Sequence, residues 1–255
     1  MKSGFRFDMR ENTLIVPEIF SGYPNVRSGM STMQGGGKNT GFEMNLSYHV
    51  GDDPERVELN RAVFFSYVGI SKNELAIPLQ SHSVNVHRVE MPGEYENCDG
   101  LMTNARGVAL TVAVADCVPI LLFDPMNNVI GAIHAGWRGT AKSIIKRALV
   151  RMQDEYKTDM KDVLAFIGPS AGLCCYEVSE EVAVKFENKI VSYDTTKAFI
   201  DLKKENALQL QEHGLVPGNI EVSKHCTICE NQLFHSFRRD GKRAGRMMAV
   251  ICLKP

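Results

Sequence analysis

The chain has 255 residues, 44% of them hydrophobic and 23% charged, enough to bury a full core as one large domain. Its formal net charge of −1 gives no long-range attraction to nucleic acid or to an anionic membrane, so the expected partner is a small molecule. Seven cysteines, an odd number in a mid-sized chain, fit reduced thiols or metal ligands better than a disulfide framework. No apolar segment follows MKSGFRFDMR, and the longest apolar run, residues 107–123, is shorter than a membrane span and broken by Asp116, so a cytoplasmic protein is expected.

No repeat, low-complexity segment or linker marks a boundary, which predicts one domain over residues 1–255. SGMSTMQGGGKNTGF, residues 28–42, reads as a loop. Its GGGKNT lacks the glycine and hydroxyl positions of a phosphate-cradling P-loop. Residues 53–67 carry apolar side chains at helical spacing, entered through Asp52 or Asp53 with Pro54 in the first turn. GVALTVAVA, VPILLF, NVIGAIH, VLAFIG, NIEVSK and MMAVICL read as strands, several apolar on both faces and therefore central. AKSIIKRALVRMQDEY, SEEVAVKFENK and LKKENALQLQEHG read as helices, the last closed by Gly214. The pattern is α+β, a mixed sheet with flanking helices.

VPILLF and NVIGAIH are joined by DPMN, and the simplest register pairs Phe123 with Asn128 and hence Cys117 with His134. Opposed residues share a face with Cβ atoms about 5 Å apart. A thiolate and an imidazole at that separation can ligate one metal ion, or the imidazole can take the thiol's proton. His82 in IPLQSHSV offers a third ligand. AGWRGT, with Arg138 between two glycines and Thr140 placed to cap the next helix, reads as an anion site. Trp137 between the glycines reads as a hydrophobic plug. HCTIC places Cys226 and Cys229 in a CxxC, and Cys174 with Cys175 would complete four sulfurs, for which a structural zinc is one reading. Because adjacent cysteines are poorly spaced for tetrahedral ligation, all four are expected to be buried, reduced thiols. Asp240-Gly241 reads as a turn between strands, with Arg238, Arg239 and Arg246 near it as alternative phosphate contacts.

QSHSV, CDGLMT, VAVADCVPILLFD, AIHAGWRGT, IGPSAGLCCYEV and HCTICENQLFHSFRRDGKRAGRMMAV together resemble the laccase-domain proteins, also called the peptidoglycan editing factor or purine nucleoside phosphorylase family. The resemblance covers most of the chain. It implies an unusual α+β fold of mixed sheets and flanking helices, like that of a toxin deamidase. It also implies a zinc ion on His82, Cys117 and His134 with one position open, and cleavage of purine nucleosides by phosphate together with adenosine deamination. Asn45 and Arg61 match polar positions near that pocket, and Gln80, Asp99 and Thr103 are further candidates of this kind. The H-x-E and P-C-x-x-C signature of zinc deaminases is absent, which leaves Asp116, Asp99 or Cys174 as acid or base. Two alternatives stand beside this reading. One is a Cys117–His134 amide hydrolase acting on peptidoglycan precursors; the other is a copper-dependent polyphenol oxidase, since imidazole suits copper as well as zinc. Seven histidines and no H-x-H pair weigh against the second.

Overall fold

The computed structural model describes residues 13–36, 42–186, 190–194 and 196–255. Its strands in chain order are β1 (Leu14–Ile15), β2 (Val26–Ser31), β3 (Leu75–Pro78), β4 (Val86–Arg88), β5 (Gly93–Tyr95), β6 (Gly100–Thr103), β7 (Ala109–Val114), β8 (Val118–Asp124), β9 (Val129–Ala135), β10 (Leu164–Ile167), β11 (Glu177–Val178), β12 (Val191–Asp194), β13 (Lys197–Ile200), β14 (Ile220–Val222) and β15 (Met247–Leu253). The helices are α1 (Pro54–Val68), α2 (Trp137–Ala141), α3 (Ile144–Tyr156), α4 (Glu180–Ala183), α5 (Leu202–Glu212) and α6 (Phe237–Asp240).

Two six-stranded mixed sheets, in the orders β1-β2-β15-β7-β3-β5 and β14-β10-β8-β9-β6-β4, stand beside a separate small sheet β11-β13-β12. The alternation along the strands stacks them. In β15, Met247, Ala249, Ile251 and Leu253 meet Leu121 and Phe123 of β8 between the two sheets. Met248, Val250 and Cys252 point the other way, onto Phe64 and Phe65 of α1. Ile120 and Leu122 of β8 likewise face Ile145, Leu149 and Met152 of α3 and Leu210 of α5. The order through the molecule is thus helix, sheet, sheet, helices. Strands covered on both faces must be apolar throughout, which is why VPILLF and MMAVICL show no alternation. Each fully buried Leu, Ile or Phe contributes about 1.5–3 kcal/mol.

The α+β class and the six long strand segments hold. Helix α1 starts as its sequence implies, with Asp53 capping Glu55 N–H and Pro54 at its first position. Four local expectations are corrected. Residues 28–31 belong to β2, where Gly29 admits Leu14 and the neighbouring β15 supplies the ladder; residues 37–40 of GGGKNT, and residue 41 after it, lie outside the described residues. Of the described residues of SEEVAVKFENK, only Glu180–Ala183 form an α-helix, α4; residues 187–189 also lie outside them. Asp240-Gly241 joins α6 to a 3-10 turn, not two strands. The β8–β9 register pairs Asp124 with Val129 and Pro119 with His134. The turn moved because the Asp124 carboxylate accepts from the N–H groups of Met126 and Asn127, which holds Asp124 in the strand.

Candidate metal centre

The register differs from the expected one by two residues. An even slip keeps side chains on the same face, so Cys117, just before β8, still meets His134 of β9. His82, in the loop after β3, completes the group: one donor atom from each of the three lies within 4.8 Å of the others. His82 Nε2 stands 4.0 Å from Cys117 Sγ, and the two imidazole rings meet edge to face at 5.0 Å. Gly136 makes this approach possible, since a Cβ there would lie 3.0 Å from the Cys117 sulfur and 3.1 Å from the His82 ring.

Backbone strain collects at the same place. His82 has φ of 58° and Asp116, beside Cys117, has φ of 85°, a region that costs a non-glycine residue about 1–3 kcal/mol. Buried carboxylates hold both in position. Asp99, wholly buried before β6, accepts from the backbone N–H groups of Ser81, His82 and Ser83 and from the Ser83 hydroxyl. It also bonds His134 Nδ1 at 2.8 Å. Asp116 accepts from the hydroxyls of Thr227 and Ser236 and from Arg238 N–H.

The electrostatics follow from these contacts. Burial pushes the Cys117 thiol up, but the adjoining His134 and His82 outweigh it and bring the group to about 6. Burial lowers His134, while Cys117 and Asp99 raise it to about 9. Burial raises Asp99, and the His134 and Ser83 hydrogen bonds bring it to about 2. The donor set therefore fits a metal ion: a thiolate held charged, and an imidazole whose Nδ1 is fixed by a carboxylate so that Nε2 faces the other two ligands.

These groups lie in a cleft of about 620 Å³, within the usual size for a small-molecule site of about 300–1,000 Å³. Its walls include Tyr48, His49, Arg61, Gln80, Phe237 and Arg246. Arg61 lies over the Tyr48 ring at 4.9 Å, and Arg246 over Phe237 at 5.6 Å, with Nη1 donating to the carbonyls of Ala244 and Gly245. Gln80 faces the cleft, but its amide pairs with both backbone groups of Ala113.

Other expected site residues stand elsewhere. Asn45 is fully buried behind the wall, bonded to Ser47, Asp52 and Arg246 N–H. Asp116 supports a loop and does not line the cleft. Thr103 caps a turn at Ala105. Residues 137–141 wind into α2, and Thr140 lies inside that helix with its hydroxyl engaged by Ala135 and Asn206. Arg138 is exposed, lies over the Trp137 ring at 4.3 Å, and is not among the cleft-lining residues. Trp137 packs against the core beneath α3. Arg239 is engaged by Asp240 and the carbonyls of Thr227, Ile228 and Phe234, and Arg238 by the Glu177 carbonyl. Tyr48, His49 and Phe237 were not singled out from sequence. The run Ser47-Tyr48-His49, polar and aromatic directly after a buried Leu46, was the available signal.

Comparison with known proteins shows the family and the fold. A purine nucleoside phosphorylase of Bacteroides thetaiotaomicron is 33% identical over 266 aligned positions, covering 96% of this chain and 97% of that protein. An adenosine deaminase called RL5, from an unknown prokaryotic organism, is 35% identical over 86% of this chain and 90% of its own. The crystal structure of YlmD from Geobacillus stearothermophilus superposes with a TM-score of 0.87 at 31% identity, over 94% of each chain. A family model described as multi-copper polyphenol oxidoreductase laccase matches residues 27–254. The chain belongs to this laccase-like family, whose members similar to it include proteins named purine nucleoside phosphorylase.

Proposed function

We propose that this protein is a purine nucleoside phosphorylase with adenosine deaminase activity, working with one zinc ion on His82, Cys117 and His134. The observation that carries the reading is the convergence of these three donors on a cleft that also presents two guanidinium groups and two aromatic rings. The names of the relatives agree with it. Three protein ligands leave a position open, and a zinc ion there supplies Lewis acidity toward the base or toward water.

The chain's own groups do the positioning. Asp99 holds the His134 tautomer and, through three N–H bonds, the loop that carries His82. Arg61 and Arg246, not Arg138, are the cations at the cleft, and we assign them the phosphate that attacks the ribosyl C1′. A guanidinium forks onto phosphate oxygens and offsets their charge. As the C1′–N9 bond breaks, the electron pair goes to the base. Tyr48 and Phe237 offer ring faces for the purine. In the deaminase mode water replaces phosphate as nucleophile and C6 of adenine as the point of attack, with ammonia leaving.

The depressed Cys117 thiol also favours a second reading, in which Cys117 attacks an amide and His134 takes the proton. The same side chains cannot serve both. Protein of known metal content, incubated with adenosine or inosine with and without phosphate and, in parallel, with an amide-linked peptidoglycan precursor, then analysed by mass, separates the two readings. Ribose 1-phosphate formed only with metal and phosphate supports the first; full hydrolytic activity of a metal-free preparation supports the second.

A further inference from the structure

A second cluster lies outside the cleft. Cys174 and Cys175 sit in the turn that follows β10, and Cys226 and Cys229 in the turn that follows β14. Because β10 and β14 are parallel neighbours, both turns emerge at the same end of their sheet. A bridge between Ser170 and Cys226 and the bond from Thr227 N–H to the Ser170 carbonyl join them. All four sulfurs lie within 4.8 Å of one another, with Cys174–Cys229 at 3.3 Å and Cys175–Cys229 at 3.0 Å. The expectation of buried thiols is corrected here, since Cys174 and Cys229 are exposed and only Cys226 is buried. The spacing objection also falls, because the turn closed by Cys175 N–H on the Gly172 carbonyl aims both adjacent sulfurs at Cys229.

We propose that Cys174, Cys175, Cys226 and Cys229 form a second, structural metal site that takes a tetrahedral thiophilic cation, zinc before others. Four thiolates around zinc at about 2.3 Å stand about 3.8 Å apart; the Cys229 contacts at 3.0 and 3.3 Å lie a little inside that value, and all four sulfurs fall within 4.8 Å of one another. The backbone N–H of Gly172 donates to the Cys226 sulfur at 3.2 Å, a contact that suits a thiolate better than a neutral thiol. Charge balance points the same way. Lys203, 8% exposed, donates from Nζ to the carbonyls of Ser223 and His225. No carboxylate of the described residues is within ion-pair distance of it; its charge neighbours are Asp201, then Cys226, Cys174 and Glu230. A four-thiolate zinc centre carries a net charge of about −2 and would add negative charge beside this buried ammonium.

The consequence reaches the cleft. Ala171 N–H donates to the Asp116 carbonyl and the Thr227 hydroxyl to its carboxylate, so the metal would clamp the two turns that hold the residue preceding Cys117. The site does not depend on the nucleoside reading.

The test is metal content of the full chain, expressed with zinc, purified under reducing conditions and desalted, for the wild type, Cys117→Ala, Cys175→Ser, Cys229→Ser and Cys117→Ala/Cys229→Ser. Cys117→Ala is expected to keep one zinc per chain, with an X-ray absorption edge showing four sulfurs at about 2.3 Å. The double variant is expected to keep none. If Cys229→Ser misfolds, Cys175→Ser and the sulfur count of the wild-type spectrum still decide the matter. A metal-free Cys117→Ala, with the four thiols reacting freely with a thiol reagent or paired as disulfides by mass, overturns the proposal. Zinc retained by Cys117→Ala but lost from Cys229→Ser would uphold this site and remove the His82–Cys117–His134 assignment, so the two fail separately.

Discussion

At the scale of single residues, the centre rests on groups that touch neither substrate nor metal. Asp99 bonds the His134 ring and three consecutive N–H groups of the His82 loop, so Asp99→Asn is expected to weaken zinc affinity about 10–100-fold, read by competition with a chromogenic chelator. Its linkage to pH has a definite sign. A carboxyl held down at about 2 in the folded chain contributes stability that is fully present above the unfolded value of about 3.9 and is lost as pH falls toward 2. Denaturation of metal-stripped protein should therefore show a wild-type advantage over Asp99→Asn at pH 7 that vanishes by about pH 2; an advantage that persists there would contradict this role. Gly136 is the second such residue. Gly136→Ala places a methyl against the Cys117 sulfur and the His82 ring and is expected to expel the metal while circular dichroism stays native. Neither role was legible in sequence. Asp99 stood among the candidates as a polar neighbour, and Gly136 as part of an anion loop, because their partners are brought together only by β6 and β9.

At the scale of elements, the β8–β9 hairpin sets the centre and the segment before it sets Cys117. The apolar runs made both strands legible, and their even slip in register preserved the pairing of faces that put Cys117 and His134 together. The slip itself depended on side-chain bonds from Asp124 that a turn rule cannot resolve. The early start of the helix in AGWRGT was hidden for a related reason: glycines that suit a loop also suit close packing, and here Trp137 packs on the core and Thr140 is bonded to Asn206 and Gln209 of α5. Asp116 shows what the element needs. Its carboxylate gathers Thr227, Ser236 and Arg238 N–H around a residue at φ of 85°, and hydrogen bonds to charged groups contribute about 1.5–3 kcal/mol each. Asp116→Ala is expected to destabilise the chain by about 3 kcal/mol in urea melts and to lose metal. A loss of activity with unchanged stability would instead make Asp116 an acid or base.

At the scale of the whole molecule, two stacked sheets covered by helices leave the cleft between the His82 loop, the 46–49 segment and the segment 237–248, which are far apart in sequence. This is why the cluster of His82, Cys117 and His134 was readable from motif and hairpin, while the walls were not: Arg61 comes from α1, Arg246 from the approach to β15, and Tyr48 from a connection with no regular structure. Arg61→Ala and Arg246→Ala are expected to raise the KM for phosphate about tenfold or more while deamination changes less, and Arg138→Ala to leave both activities near wild type; the reverse pattern would return the phosphate to Arg138. The central claim is that the His82–Cys117–His134 centre, charged with metal, cleaves purine nucleosides with phosphate. The most direct measurement strips the chain of metal, reloads it with increasing zinc, and follows adenosine in phosphate by mass. Adenine and ribose 1-phosphate rising with zinc in the wild type, and absent at every zinc level in Cys117→Ala, is the predicted result. Product formed by the stripped chain, or equal product from Cys117→Ala, would contradict it.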